Sequence, residues 1–291
     1  MLKASRYPSF RAMLSARRAN QEVVRVAGAH DAIGGRLAQE AGFDGIWASS
    51  LEISAARCLP DASILTMTEY LEAAARTQRA IGIPVLADVD TGYGNNLNVA
   101  HMVHEYEAAG ITAICMEDKQ FPKMNSFVDA DHTLQDVEAV CSKIRVAKNA
   151  QHDDMFFIAR TEALIDGLGM DEALNRCAAY TAAGADAVLI HSKASTNNEI
   201  VDFLGKWSGR APVVVVPTTY PDWHIGDITR HGVAAVIYAN QGLRATVTAL
   251  KSTYAAILRS GHAADLEGKV ATVAEIFELQ RLLAWQQLES A

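Results

Sequence analysis

The sequence predicts an α/β protein, a (β/α)8 TIM-type barrel with extra C-terminal helices, running as a single domain over residues 1–291. Three observations predict it. Short β-branched runs alternate with helical stretches. The runs are continuously apolar rather than alternating, as parallel strands covered on both faces are. The helical stretches close on glycine and lead straight into the next run. A chain of 291 residues and 31.4 kDa allows one large domain or two small ones at about 100–200 residues each.

In chain order the apolar runs are 23–28, 45–49, 84–90, 112–117, 155–160, 187–191, 213–217 and 234–240. Between them stand NVAHMVHEYEAAG (98–110), DEALNRCAAYTAAG (171–184) and NNEIVDFLGKWSG (197–209). The helix-closing glycines are Gly42, Gly110, Gly184 and Gly232. Eight strand–helix units in about 250 residues match one closed barrel. A doubly wound open sheet is the alternative, but no glycine-rich GxGxxG follows the first strand. Beyond the eighth run the pattern predicts one helix over 243–259, which closes the barrel. A second, apolar helix over 273–288 needs a surface to cover, which predicts packing on a partner subunit.

Hydrophobic residues make up 50% of the chain and charged residues 21%, enough apolar material for a large core. The formal charge of −8 and pI of about 5.6 argue against nucleic acid or an anionic membrane as main partner. A small anionic substrate stays compatible, because a metal or arginine reverses the potential inside a cleft. The cysteines Cys58, Cys115, Cys141 and Cys177 are far apart and form no CxxC pair. That suits free thiols in a cytoplasmic setting. The N-terminal 20 residues lack the apolar core of a signal peptide, and no run reaches the roughly 18 apolar residues of a membrane span.

Barrel enzymes build their sites at the C-terminal ends of the strands, and polar residues stand there. Asp88 and Asp90 are two apart, which on a strand places them on one face. With Glu117 from the next strand they form three carboxylates that repel unless a cation or proton lies between them. Oxygen ligands without His or Cys suit Mg2+ or Mn2+. The alternative is turn or cap residues. Arg160 suits bidentate binding of carboxylate or phosphoryl oxygens, or a structural ion pair with Glu162 or Glu117. His191 suits a site histidine or a packed one with a single satisfied nitrogen. Gly92 and Gly94 mark a tight turn or a close backbone approach. The polar stretch from Gln120 to His132, with Lys123, Asn125 and Ser126, is a candidate lid at the catalytic rim.

Here the chain resembles a known family. EDKQFPKMNS (117–126) is similar to the EDK-x5-NS loop of phosphoenolpyruvate mutases, within the isocitrate lyase/phosphoenolpyruvate mutase superfamily. DVDTGYGN (88–95), VLIHSK (188–193) and VPTTYP (216–221) are similar too, and the likeness runs from about residue 23 to 281. No cysteine stands in the loop, unlike the lyase branch. The resemblance implies Asp88 as direct Mg2+ ligand, with Asp61, Asp90 and Glu117 holding its waters and Asp61 near the reacting centre. It implies Lys123, Asn125 and Ser126 as lid residues, and Arg160 and His191 as contacts to substrate and phosphoryl group. Trp47, Ser49, Ser50 and Leu51 fall in the loop that cradles the substrate's anionic groups, where Ala48 and Ser50 replace both glycines of the common form WGSG. It further implies a homodimer or homotetramer that exchanges a C-terminal helix.

Four competing readings follow, three of them enzymatic, with the first preferred. The first is interconversion of phosphoenolpyruvate and 3-phosphonopyruvate. The second is hydrolysis of phosphonopyruvate to pyruvate and phosphate, in a branch that lacks the asparagine found here at 125. The third is an oxaloacetate-type C–C hydrolase or decarboxylase. The fourth is a non-enzymatic scaffold, which would place no demand on polar groups at so many strand exits.

Overall fold

The computed structural model describes residues 9–129 and 133–290. It falls into two compact units, one ending at Asn240 and one beginning at Gln241.

In the first unit, eight parallel strands close in sequence order: β1 (Val24–Gly28), β2 (Gly45–Ala48), β3 (Val85–Asp88), β4 (Ala113–Glu117), β5 (Phe156–Thr161), β6 (Ala187–Ile190), β7 (Val213–Val215) and β8 (Ala235–Tyr238), with β8 pairing back onto β1. The helices are α1 (Phe10–Ala19), α2 (Ala32–Glu40), α3 (Ser50–Ala55), α4 (Met67–Ala80), α5 (Asn96–Ala108), α6 (Val137–Ala150), α7 (Gly169–Ala182), α8 (Asn198–Trp207) and α9 (Ile225–Arg230). Seven strands lie inside the apolar runs and β5 exceeds its run by one residue, Thr161; the barrel is confirmed and the open sheet excluded. The helix-closing glycines sit at φ 73–113°, the left-handed geometry that ends a helix without a Cβ penalty.

Alternate strand residues part into two cores, as a pleat of period two requires. Leu86, Cys115, Ile158 and Leu189 belong to the inner core. Their neighbours Ala87, Met116 and Ala159 pack outward with helix residues, as do Val188 and Ile190. Extending the inner rows one step toward the C-terminal ends reaches Asp88, Glu117, Arg160 and His191. The barrel's parity therefore delivers those side chains to its mouth.

Helices α1 and α3 were not foreseen. Phe10 and Leu14 of α1 join the inner core, and Phe10 packs on Phe156 with ring centroids 5.3 Å apart. Helix α6 starts at Val137, because Asp136 accepts from the amides of Glu138 and Ala139 and so caps it.

The second unit holds α10 (Gln241–Ser260), a 3-10 turn (Ala264–Leu266), α11 (Val273–Leu279) and α12 (Leu282–Glu289). The single helix expected over 273–288 is thus two, broken where Arg281 takes φ 55°. Among the described residues, no helix is long and apolar enough to cross a membrane. All four cysteines are free.

Candidate active site

The C-terminal mouth of the barrel encloses a cavity of about 50 Å3. Trp47, Ser49, Ser50, Leu51, Asp61, Asp88, Lys123, Asn125, Ser126, Arg160 and His191 all line it, joined by Phe127, Val216, Thr218, Ala239 and Asn240. Of the residues expected at the site, only Asp90 and Glu117 do not line it. The cavity is small because the segment after β4 folds down upon it. That segment leaves and returns through an antiparallel bridge between Lys119 and Leu134. His132, the expected end of the lid, lies outside the described residues.

The acidic half of the site is built on β3. Asp88 Oδ2 accepts from the Ser50 amide (3.3 Å) and hydroxyl (2.9 Å). The Ser50 amide, expected to cradle an anion, here faces Asp88, and the Ser49 hydroxyl caps α3 through the Glu52 amide. Asp90 does not share the strand's face by periodicity. Strand β3 ends at Asp88, and Asp90 sits in a turn at φ 47° with its amide donating to Asp88 Oδ1 (3.2 Å). Gly92 completes that turn at φ 85°; a Cβ there would lie 2.7 Å from Val99 Cγ2 and 3.0 Å from Met116 Sδ, so only glycine fits.

Lys123 reaches from the lid into this cluster. Its Nζ lies 2.7 Å from Asp61 Oδ1 and 3.0 Å from Asp90 Oδ1, and donates to Ser50 Oγ at 2.9 Å. Asn125 Nδ2 donates to Asp61 Oδ2 (2.8 Å), and its Oδ1 accepts from the Phe127 amide. Burial would raise the Asp61 carboxyl, but Lys123, assisted by Asn125, outweighs it and holds the group below its ordinary value. Asp90 goes the other way: burial, with Asp88, Asp61 and Glu117 nearby, pushes it up to about 7 against the pull of Lys123. Burial opposes the Lys123 ammonium, yet the surrounding carboxylates hold it well above its ordinary value.

The donor set bears on a divalent cation. Among the described residues, no three His, Cys, Asp or Glu side chains are disposed to hold one ion together. The turn at Asp90 takes that residue off the strand face, while Asp88, Asp61 and Glu117 remain close enough to raise its carboxyl. What the site offers is Asp88 on the cavity wall, with Asp90 and Glu117 set back from it. Asp90 Oδ2 and Glu117 Oε1 are buried without a hydrogen-bond partner. The carboxyl groups of Asp61, Asp88, Asp90 and Glu117 outnumber the neighbouring cations Lys123 and Arg160, with Asp90 near half-charged at pH 7. Orphaned carboxylate oxygens with that excess fit a hard divalent ion.

The basic half is built on β5 and β6. Arg160 Nε donates to Glu162 Oε1, and Nη2 lies 3.4 Å from Glu117 Oε2. The ion pairs weighed for Arg160 in the sequence are thus both present, on a residue that also faces the cavity. His191 Nδ1 lies 2.9 Å from Glu162 Oε1 and 2.9 Å from Arg160 Nη2. A carboxylate only accepts and a guanidinium only donates, so Nδ1 bonds one of the two: with the proton on Nδ1 it donates to Glu162, and Arg160 Nη2 is then a close contact without a hydrogen bond. Burial is the main cause that lowers the His191 pKa, opposed by Glu162; the ring is neutral at pH 7. The Phe127 ring meets His191 edge-on at 5.6 Å. Sequence reasoning gave no site role to Lys119 or Glu162, although both stand in or beside motifs that it quoted. Asp118 was missed as well. It is fully buried and accepts from Thr161 Oγ1, Tyr180 Oη, Arg176 and the Glu162 amide.

A barrel with a carboxylate-rich strand-3 exit, an arginine and histidine at strands 5 and 6 and a lid after strand 4 defines an enzyme of the isocitrate lyase/phosphoenolpyruvate mutase superfamily. Residues 13–258 match the family model described as phosphoenolpyruvate phosphomutase, and the chain belongs to that family. It is 46% identical over 255 residues to a phosphonopyruvate hydrolase of Variovorax sp. (strain Pal2), covering 87% of this chain and 88% of the relative. The structure of a phosphoenolpyruvate phosphomutase from Streptomyces platensis subsp. rosaceus superposes with a TM-score of 0.92 at 50% identity, over 95% of this chain and 98% of that one. A phosphonopyruvate hydrolase complexed with oxalate and Mg2+ superposes with a TM-score of 0.90 at 42% identity, over 96% and 97% of the two chains.

Proposed function

We propose that the chain is a phosphoenolpyruvate mutase, interconverting phosphoenolpyruvate and 3-phosphonopyruvate, with Mg2+ as cofactor and Mn2+ as a substitute of the same hard-oxygen preference. The observation that carries this reading is Asn125, held by Asp61 on a lid closed over the cavity. In the isomerisation the P–C bond breaks toward a pyruvate enolate, and the enolate oxygen then takes the phosphoryl group. Mg2+, held by Asp88 with Asp61, Asp90 and Glu117 around it, would offset charge on the enolate oxygen and carboxylate.

The chain's own residues do the rest. Arg160 presents a guanidinium to the phosphoryl oxygens, whose charge is spread in a loose transition state. Asn125 has both donor and acceptor and cannot attack phosphorus, so it orients the group without capturing it. Lys123 neutralises Asp61 and keeps the lid down. The closed lid excludes water, so the group returns to the enolate.

Phosphonopyruvate hydrolysis is the second reading, favoured by the 46% identity to the Variovorax enzyme. Incubation with phosphonopyruvate and Mg2+, followed by 31P NMR, separates them. The mutase yields phosphoenolpyruvate; inorganic phosphate as the main product would overturn the proposal in favour of the hydrolase.

A further inference from the structure

Glu162 is fully buried one residue beyond β5, and both of its oxygens are in use. Oε1 accepts from Arg160 Nε and from His191 Nδ1. Oε2 accepts from Ser126 Oγ at 2.6 Å and lies 3.5 Å from Lys119 Nζ. The Ser126 hydroxyl is saturated: it donates its proton to Glu162 and accepts from Lys119 Nζ (2.7 Å) and Arg160 Nη2 (3.2 Å). Ser126, expected to contact substrate, thus has neither proton nor lone pair to offer in the closed lid. Lys119 also donates to the Met124 carbonyl at 2.9 Å, bracing the lid from beneath. The Glu162 amide in turn donates to Asp118 Oδ1 at 2.9 Å, so the carboxylate stands on a fixed backbone.

We propose that Glu162 is a positioning residue that ties lid closure to the orientation of Arg160 and His191, with Ser126 as its latch on the lid. One carboxylate bonds the lid through one oxygen and both basic groups through the other. An open lid deprives Glu162 of the Ser126 proton and Arg160 of the Ser126 acceptor together. Aligned basic groups and a closed lid are therefore one state. Charged partners make such bonds stronger than neutral ones, and burial makes leaving them unmade costly. This role rests on the proposed chemistry only for its substrate; it holds for either product.

The test uses Glu162→Gln, Ser126→Ala and the double variant of the full-length protein. Lid closure is read as tryptic cleavage after Lys123, a buried residue in the closed lid, with oxalate and Mg2+ present. Turnover is read as the sum of phosphoenolpyruvate and pyruvate formed from phosphonopyruvate, with kcat and KM resolved. Each single variant should speed cleavage by about 10- to 100-fold, the worth of one hydrogen bond to a charged group. The double variant should go no further than either, because both break one latch. Glu162→Gln should also lower kcat by about 100-fold, more than Ser126→Ala does, since it alone releases Arg160 and His191. Parent-like protection in a folded Glu162→Gln, or multiplicative effects in the double variant, would overturn the proposal. If Glu162→Gln does not fold, Ser126→Ala decides: parent-like protection overturns the latch, and faster cleavage upholds it. Phosphate in place of phosphoenolpyruvate from the parent would sink the mutase reading and leave these comparisons intact.

Discussion

At the residue scale, the site is an arrangement of charges that need one another. Asp88 is the one carboxylate of the β3 turn on the cavity wall, and it is held by the Ser50 amide and hydroxyl. Asp88→Ala should abolish Mg2+-dependent turnover while the fold persists; a folded variant with parental metal dependence would show that the ion binds elsewhere. In the proposed mutase reaction Asn125 would govern the choice between recapture and loss of the phosphoryl group. Asn125→Ala should slow isomerisation by about 10²–10³-fold, the cost of one lost transition-state donor, and raise the phosphate-to-phosphoenolpyruvate ratio. An unchanged ratio at an unchanged rate would remove Asn125 from partitioning. Ser50 shows how a substituted loop position can still serve: its hydroxyl bridges Asp88 and Lys123, a link that glycine cannot make.

At the element scale, each strand brings its inner row to the mouth, and the segments between elements decide how those residues meet. The lid is braced at Lys119 and joined to the loop after α3 by the Lys123 amide on Ser63 Oγ (3.0 Å). Helix α1 contributes nothing to the mouth but supplies Phe10, fully buried against Phe156 at the first residue of β5. Phe10→Ala should therefore destabilise the protein by about 3–5 kcal/mol, the range for truncating a buried phenylalanine. Urea unfolding monitored by circular dichroism would measure it. Metal affinity should not change, and a midpoint equal to the parent's would show that α1 is dispensable.

At the scale of the whole molecule, the second unit has the composition of an interface. No residue of α10, α11 or α12 is buried, and Leu258, Phe277, Leu283, Trp285 and Leu288 are exposed. Apolar side chains in such number are what an interaction surface would carry. The expected occupant is a second copy of this chain, giving a homodimer or homotetramer. Sedimentation at micromolar concentration should report an assembly, and Trp285→Glu should weaken it. A parent that sediments as a monomer would contradict the expectation.

The sequence alone determined the barrel, because strands buried on both faces must be continuously apolar and four of the returning helices close on a left-handed glycine. It also determined which residue types stand at the strand exits, since a polar group breaks an apolar run visibly. What it could not determine were relations between segments distant in the chain. Periodicity placed Asp90 beside Asp88 on one face, but a left-handed turn took it off the strand. An apolar stretch read as one helix until Arg281 broke it. Glu162 and Lys119 looked like ordinary charged residues beside Arg160 and Glu117. Only the closed barrel carries Glu162 from β5 to Ser126 on the lid, 36 positions away, and to His191, 29 positions away. The physical reason is that burial and charge pairing depend on neighbours in space, whereas hydrophobic period and helix punctuation depend on neighbours in sequence.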